Sequence, residues 1–130
     1  MLPFSISLRT GSPISEQVIY AVTRAAVSGE LRPGDPFPSV RALSQELKIN
    51  PNTAHKIVAA LIERNLLTVR PGVGTVVSSG AHAASPAARR EVLDRETERL
   101  VVQARSAGLT LQNVLAAIRS QWARTVRRAG

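Results

Sequence analysis

Asn50-Pro-Asn-Thr-Ala-His-Lys56, then Ile57-Val-Ala-Ala-Leu-Ile-Glu-Arg-Asn65, then Leu66-Leu-Thr-Val-Arg-Pro-Gly-Val-Gly-Thr-Val-Val77 is the stretch that decides the fold. Asn50 is a strong N-cap and Pro51 suits the first helical position, where a missing N–H costs nothing. Ala54, Ile57, Val58 and Leu61 follow at i, i+3, i+4 and i+7, the spacing of one buried helical face. Asn65 is placed to close that helix in a left-handed conformation. Leu67–Arg70 and Thr75–Ser78 are short β-prone runs around Pro71-Gly-Val-Gly74, a hairpin whose loop exceeds two residues. A short, polar-nosed helix directly before a glycine-tipped hairpin is the layout of a winged helix-turn-helix. In that layout the helix nose enters a DNA major groove and the hairpin carries a cation to the neighbouring backbone.

Working back from Asn50, Lys48-Ile49 reads as the turn of the helix-turn-helix, with Ile49 directed to the core. Before it, Ser39 caps a helix that turns Val40, Leu43 and Leu47 inward. Pro33-Gly-Asp-Pro36 and Pro38 make a tight, rigid connection. Upstream of that, Val18, Ala21, Val22, Ala25 and Ala26 recur at helical spacing between a Ser12-Pro13 start and a Gly29 C-cap. This predicts a helix over 13–28. Ser5–Leu8 alternates polar and apolar residues and suits either a short strand or an extended arm.

Working forward, Ser79–Pro86 is small, polar and poor in apolar residues, and reads as a linker. Two helices are expected beyond it, Ala87–Ala107 and Leu111 to about Arg128, divided by Gly108, with Thr110 as the second N-cap. Leu111, Val114, Leu115, Ile118 and Trp122 form the better stripe of this half; Leu93, Leu100, Val101 and Ala104 form a weaker one. Two helices of this length cannot enclose a core by themselves. Either they pack back on the winged domain, or, as the separating linker favours, they meet a second subunit through Leu100 and the Leu111–Trp122 stripe. Trp122 suits an interface anchor. Arg119, Arg124, Arg127 and Arg128 stand in the last helix without an acidic residue. They complement the helix dipole, pair with Glu91, Asp94, Glu96 or Glu98 of a partner, or touch phosphate.

The organisation expected is a winged helix-turn-helix over 1–78, a linker over 79–86 and a helical dimerisation segment over 87–130, mainly α with a small β-hairpin wing. Within 130 residues, 44% are apolar but only 3% aromatic, so an aliphatic core is expected. A net charge of +8, nearly all from arginine, favours anionic partners, nucleic acid ahead of membrane surface. There are no cysteines, which excludes disulfides, thiolate metal sites and cysteine nucleophiles. The first eleven residues lack the charged start and apolar run of a signal peptide, and no apolar stretch reaches membrane-spanning length. A cytoplasmic protein is expected. His55 and His82 lie in unrelated segments, there is no paired-carboxylate arrangement, and no Gly-rich phosphate loop joins a strand to a helix. No enzymatic activity, catalytic residue, metal or cofactor is therefore expected.

Successive helical residues turn by about 100°, so a buried Ala54–Leu61 stripe sends Asn52, Lys56 and Glu63 outward, with Thr53 and His55 flanking them. Asn52 offers donors and an acceptor to a base edge, adenine being the best match; Lys56 reaches a guanine edge or a phosphate. Thr53 lies where free helix N–H groups favour phosphate. Arg41, one turn into its helix, is positioned to clamp the backbone. Arg70 flanks the wing tip, and Gly72 and Gly74 let the main chain approach a sugar-phosphate strand. Taken singly, Arg41 and Lys56 are ordinary solvated charges, Asn50 is a structural cap, His55 is ambiguous and the glycines are turn residues. Their joint order gives the set its meaning.

That order, Glu30-Leu-Arg-Pro-Gly-Asp35, Pro38-Ser-Val-Arg41-Ala-Leu-Ser, Asn50-Pro-Asn-Thr53 and Gly72-Val-Gly-Thr75, resembles the amino-terminal domain of GntR-family bacterial transcription regulators. The resemblance covers residues 13–78. The short two-helix tail resembles the YtrA-type branch, whose members dimerise through such a tail and lack larger effector domains. The resemblance implies DNA contacts at Arg41 of the Pro-Ser-x-Arg motif, at Asn50, Asn52 and Thr53 on the recognition helix, and at Pro71 and Gly72 in the wing; Ser39, His55, Lys56, Arg70 and Gly74 complete the expected DNA-binding set. His55-Lys56 stands where many relatives carry arginine or serine-arginine, so the resemblance implies DNA binding but not which operator bases are read. The function expected is a sequence-specific dimeric regulator, a repressor of its own or a transporter operon. Its partners would be double-stranded DNA with a near-palindromic operator, a second copy of the chain, and a small-molecule effector at the dimer interface. The alternative is a winged-helix protein-interaction module that binds no DNA.

Overall fold

A computed structural model describes residues 1–79 and 85–129, the last four of these as backbone only. The elements run α1 (Ile14–Ser28), α2 (Val40–Leu47), α3 (Pro51–Glu63), β1 (Leu67–Arg70), β2 (Gly74–Val77), α4 (Pro86–Ser106) and α5 (Leu111–Ala129). They form two compact units, one holding the elements through β2 and the other holding α4 and α5. The expected linker lies for the most part outside the described residues, as do His82 and the side chains of Arg127 and Arg128.

In the first unit, α3 is the central element. Ala54, Ile57 and Leu61 are fully buried and Val58 nearly so, as their spacing requires. They meet Val18, Val22 and Ala25 of α1, Leu43 of α2, and Leu67 and Val77 of the hairpin. Both phenylalanines contradict the expectation of a purely aliphatic core. Phe4 and Phe37 are buried, with rings stacked at 5.9 Å between centroids and 2° between planes. Residues 5–8 form no strand, and the arm is held at its start by this ring pair.

Local chemistry sets the turns. Ser39 Oγ accepts from the Ala42 N–H at 3.1 Å to open α2. At its end Lys48 adopts φ 55°, and the Ile49 N–H reaches back to the Ser44 carbonyl at 3.0 Å. That geometry reverses the chain and drops Ile49 against the core, as expected. Asn65, at φ 61°, closes α3 in the same left-handed way. The start of α1 differs from expectation by one residue. Pro13 has ψ 135°, outside the helical range, so the helix begins at Ile14, and no side chain caps it.

The wing is an antiparallel pair with register Leu67↔Val77, Thr68↔Val76, Val69↔Thr75 and Arg70↔Gly74, so β2 begins at Gly74 rather than Thr75. The Val73 N–H closes on the Arg70 carbonyl at 3.0 Å. Pro71 and Gly72 occupy the middle of that turn, and Gly72 at φ 78° supplies the positive dihedral a type II turn demands. The connection read as a rigid turn does more than turn. The Gly34 N–H donates to Val77 O at 2.8 Å, Val77 N–H to Asp35 O at 2.8 Å and Phe37 N–H to Thr75 O at 2.9 Å, making residues 34–37 a third rail on β2.

In the second unit, Ser85 Oγ accepts from the Ala88 N–H at 3.1 Å, so α4 begins at Pro86, inside the expected linker. The helix ends in a paired closure, Gly108 N–H to Arg105 O at 3.1 Å and Leu109 N–H to Ala104 O at 2.9 Å. Thr110 and Asn113 then cap each other reciprocally, at 3.1 and 2.9 Å, to start α5. Of the described residues here only Ala104 is buried. Leu111 and Trp122 are 69% and 73% exposed, Leu100 and Ile118 about two-fifths, and Val114 and Leu115 half-buried. The two-helix stripe is thus formed but not covered.

Candidate nucleic-acid interface

The outer face of α3 is built by subtraction. With Ala54, Ile57, Val58 and Leu61 turned inward, Asn52, His55, Lys56, Ala59 and Glu63 are all exposed, while Thr53 is half-buried. Only the N-terminal half of this strip can attract a polyanion; Glu63 places a carboxylate at its far end. Asn50 Oδ1 accepts from the Asn52 N–H at 2.7 Å. One acceptor of Asn50 is therefore committed to the helix, whereas the Asn52 side chain stands clear of it. Replacing Asn50 with alanine should lower stability by about 1 kcal/mol through the lost cap, and aspartate should restore most of it. Thermal unfolding of the two variants checks this, and equal melting temperatures for alanine and aspartate would contradict it.

Arg41 is exposed and lies in the first turn of α2, nearer the helix start than expected. Ser39 beside it spends a lone pair on the cap and keeps its O–H as a donor. In the wing, Arg70, Pro71, Gly72, Val73 and Gly74 are all exposed. No described carboxylate lies within ion-pair distance of Arg41, Lys56 or Arg70. The Phe37–Thr75 hydrogen bond ties the two cationic outposts together, because Phe37 leads into Pro38-Ser39-Val-Arg41 and Thr75 adjoins the Arg70↔Gly74 rung. His55 has no metal-type company; among the described residues no cluster of three His, Cys, Asp or Glu exists.

Sequence reasoning passed over two residues of this surface. Ala59 follows Lys56 by three and shares its face, a signal the spacing already carried. Val73 is 71% exposed at the tip of the wing, an apolar side chain with no core to join. Its prominence depends on the Arg70–Val73 turn, which spacing does not reveal.

A helix-turn-helix of α2 and α3, with the wing bonded to the entry of α2, defines the class, a winged helix-turn-helix. The family profile described as bacterial regulatory proteins of the gntR family matches residues 14–77. The chain is 29% identical over 109 residues to the HTH-type transcriptional repressor YtrA of Bacillus subtilis (strain 168), across 84% of each chain. It is 32% identical over 108 residues to the uncharacterised HTH-type transcriptional regulator YhcF of the same strain, across 82% of this chain and 84% of that one. Among solved structures, a transcriptional antiterminator from Listeria monocytogenes EGD-e superposes with a TM-score of 0.79 at 19% identity, covering 97% of this chain and 93% of that one. The chain belongs to the GntR family of bacterial regulatory proteins, DNA-binding transcription regulators built on this winged fold. Its relatives are regulators rather than enzymes. Among the described residues no helix is long and apolar enough to cross a membrane.

Proposed function

We propose that the protein is a dimeric repressor that reads a near-palindromic operator with the N-terminal half of α3. The supporting observation is the outward strip Asn52–His55–Lys56–Ala59, polar and cationic at the nose and making no ion pair among the described residues. Asn52 and Lys56 read base edges, Thr53 and Ser39 donate to phosphate, and His55 tunes the choice of bases. Ala59 offers a methyl surface to thymine. Arg41 clamps the backbone on one side, and Arg70 with Pro71, Gly72 and Gly74 approaches it on the other. Asn50 acts through the helix it starts. The similarity to a named repressor over most of both chains supports the direction of control. The expected place of action is the cytoplasm, where bacterial DNA lies.

A gel shift against the promoter of the protein's own operon tests this reading. Specific binding should weaken steeply between about 50 and 200 mM salt, since every neutralised phosphate releases counterions. Affinity no greater than for random DNA would sink it. The docking-module alternative predicts that outcome, and nothing in the relatives favours it.

The dimer is proposed to form through Leu100, Leu111, Val114, Leu115, Ile118 and Trp122, of which Leu100, Leu111, Ile118 and Trp122 are exposed and Val114 and Leu115 half-buried. A two-fold axis there sets two recognition helices about one DNA turn apart. An effector at that interface would act by changing the spacing. Ile118→Glu should convert the dimer to monomer in light scattering at micromolar concentration and lower operator affinity by about two orders of magnitude. A variant that stays dimeric would refute this interface.

A further inference from the structure

The arm spanning residues 5–12 crosses the outer side of α1, and Gln17 is the peg that holds it. Its side-chain oxygen accepts from the Arg9 N–H at 2.9 Å, and its amide donates to the carbonyls of Arg9 at 2.8 Å and Ser12 at 3.0 Å. The backbone of Arg9 is thereby fixed beside the first turn of α1. Gln17, Tyr20, Ala21 and Arg24 recur at i, i+3, i+4 and i+7, on a face distinct from the buried Val18, Val22 and Ala25. Ala21 is too short to fill the space between its neighbours. What remains between arm and helix is a cleft of about 740 Å³, within the usual range of small-molecule sites.

The lining has one sign of charge. Ser5, Ser7, Arg9, Thr10, Tyr20 and Arg24 face the cleft, and no acidic residue does. No described carboxylate lies within ion-pair distance of either arginine. A guanidinium presents a planar fork of donors that matches a carboxylate or phosphate, and the hydroxyls add neutral donors. Tyr20, 68% exposed, supplies a flat ring with nothing of the core upon it. Seven helical residues, about 10 Å of rise, separate Gln17 from Arg24, with Tyr20 between them. A ligand with a planar ring can therefore lie on Tyr20 while its anionic group is gripped by arginine.

We propose that this cleft is a binding site for a small metabolite that carries a planar ring and a phosphate or carboxylate group. The site lies wholly in the winged unit and does not depend on the DNA reading. It is also separate from the effector position proposed at the dimer interface.

The test uses the full chain with AMP and salicylate as probes, and adenosine and inorganic phosphate as controls. At least one of the two probes should raise the melting temperature saturably and bind in calorimetry at millimolar concentration or below, with both controls at least ten-fold weaker. The Arg9→Gln/Arg24→Gln double variant should lose that binding ten-fold or more, and Arg41→Ala should keep it. Tyr20→Ala, which alters an exposed ring and leaves the core intact, should weaken every probe that the parent binds. Absence of saturable binding by either probe, or equal binding by the double variant, would overturn the assignment. DNA affinity, measured without probe, separates the remaining reading. If the double variant loses DNA binding, these arginines hold DNA phosphate and the metabolite site is wrong; unchanged affinity supports the site.

Discussion

Arg41→Ala should reduce operator affinity by about two to four orders of magnitude while leaving the melting temperature within a degree or two of the parent. The side chain is exposed and makes no ion pair among the described residues, so the fold loses almost nothing when it is cut back. On DNA the same guanidinium makes a charge-assisted contact worth about 1.5–3 kcal/mol, and a dimer makes it twice. Two independent losses of that size add to about 3–6 kcal/mol, a factor of ten for every 1.4. The salt slope should also fall by about two, one phosphate for each half-site. Fluorescence anisotropy with a labelled operator over a salt series measures both. A variant that binds as tightly as the parent would remove Arg41 from the interface and favour a docking role for the winged unit.

Ile57→Ala should lower the melting temperature of the winged unit by roughly 10–40 °C. Ile57 is fully buried on α3, within the cluster that joins α1, α2 and the hairpin. Truncation there costs about 2–5 kcal/mol, because the lost transfer energy is joined by a cavity the neighbours only partly fill. In a unit of this size each kcal/mol moves the midpoint by about 4–8 °C. Lys56→Ala, one residue earlier but on the outer face, should move it by no more than about 3 °C. Circular dichroism melts of the pair measure the contrast. Similar shifts for the two would mean that the faces of α3 are misassigned, and the proposed DNA contacts would fall with them.

The contrast between residues 56 and 57 also marks what a sequence carries well. A helical face is a local property, fixed by rotation per residue, so Ala54, Ile57, Val58 and Leu61 were legible from spacing alone. The caps were legible for the same reason. Asn50, Ser39 and Thr110 each bond an N–H within three residues of themselves. Errors of one residue arose where two local rules competed. At Ser12-Pro13, proline held an extended ψ and moved the helix start past itself. At Ser85-Pro86, the same pair did act as cap and first turn.

Non-local pairing was less legible. The stretch holding residues 34–37 read as a rigid connection because three prolines and a glycine dominate residues 33–38. Their bonding to β2 is a meeting of segments about forty residues apart, which leaves no periodic trace. The Gln17 peg is similar; glutamine in a first helical turn signals nothing until the arm is seen to cross it. For the proposed DNA surface, the exposed residues could be listed from the helical wheel and the turn chemistry. The tie between the Arg41 and Arg70 ends, running through Phe37 and Thr75, could not.

By itself, then, the order of residues from Asn50 to Val77 determined a capped helix with one buried face, a glycine-tipped hairpin behind it, and a cationic, polar nose, because each of these rests on contacts within a few residues. Only the tertiary structure decided how the wing is anchored, which ring pair holds the arm, and that the arm leaves a basic cleft on α1. Those features arise from hydrogen bonds and packing between distant segments, whose partners are chosen by the whole fold rather than by neighbours in the chain.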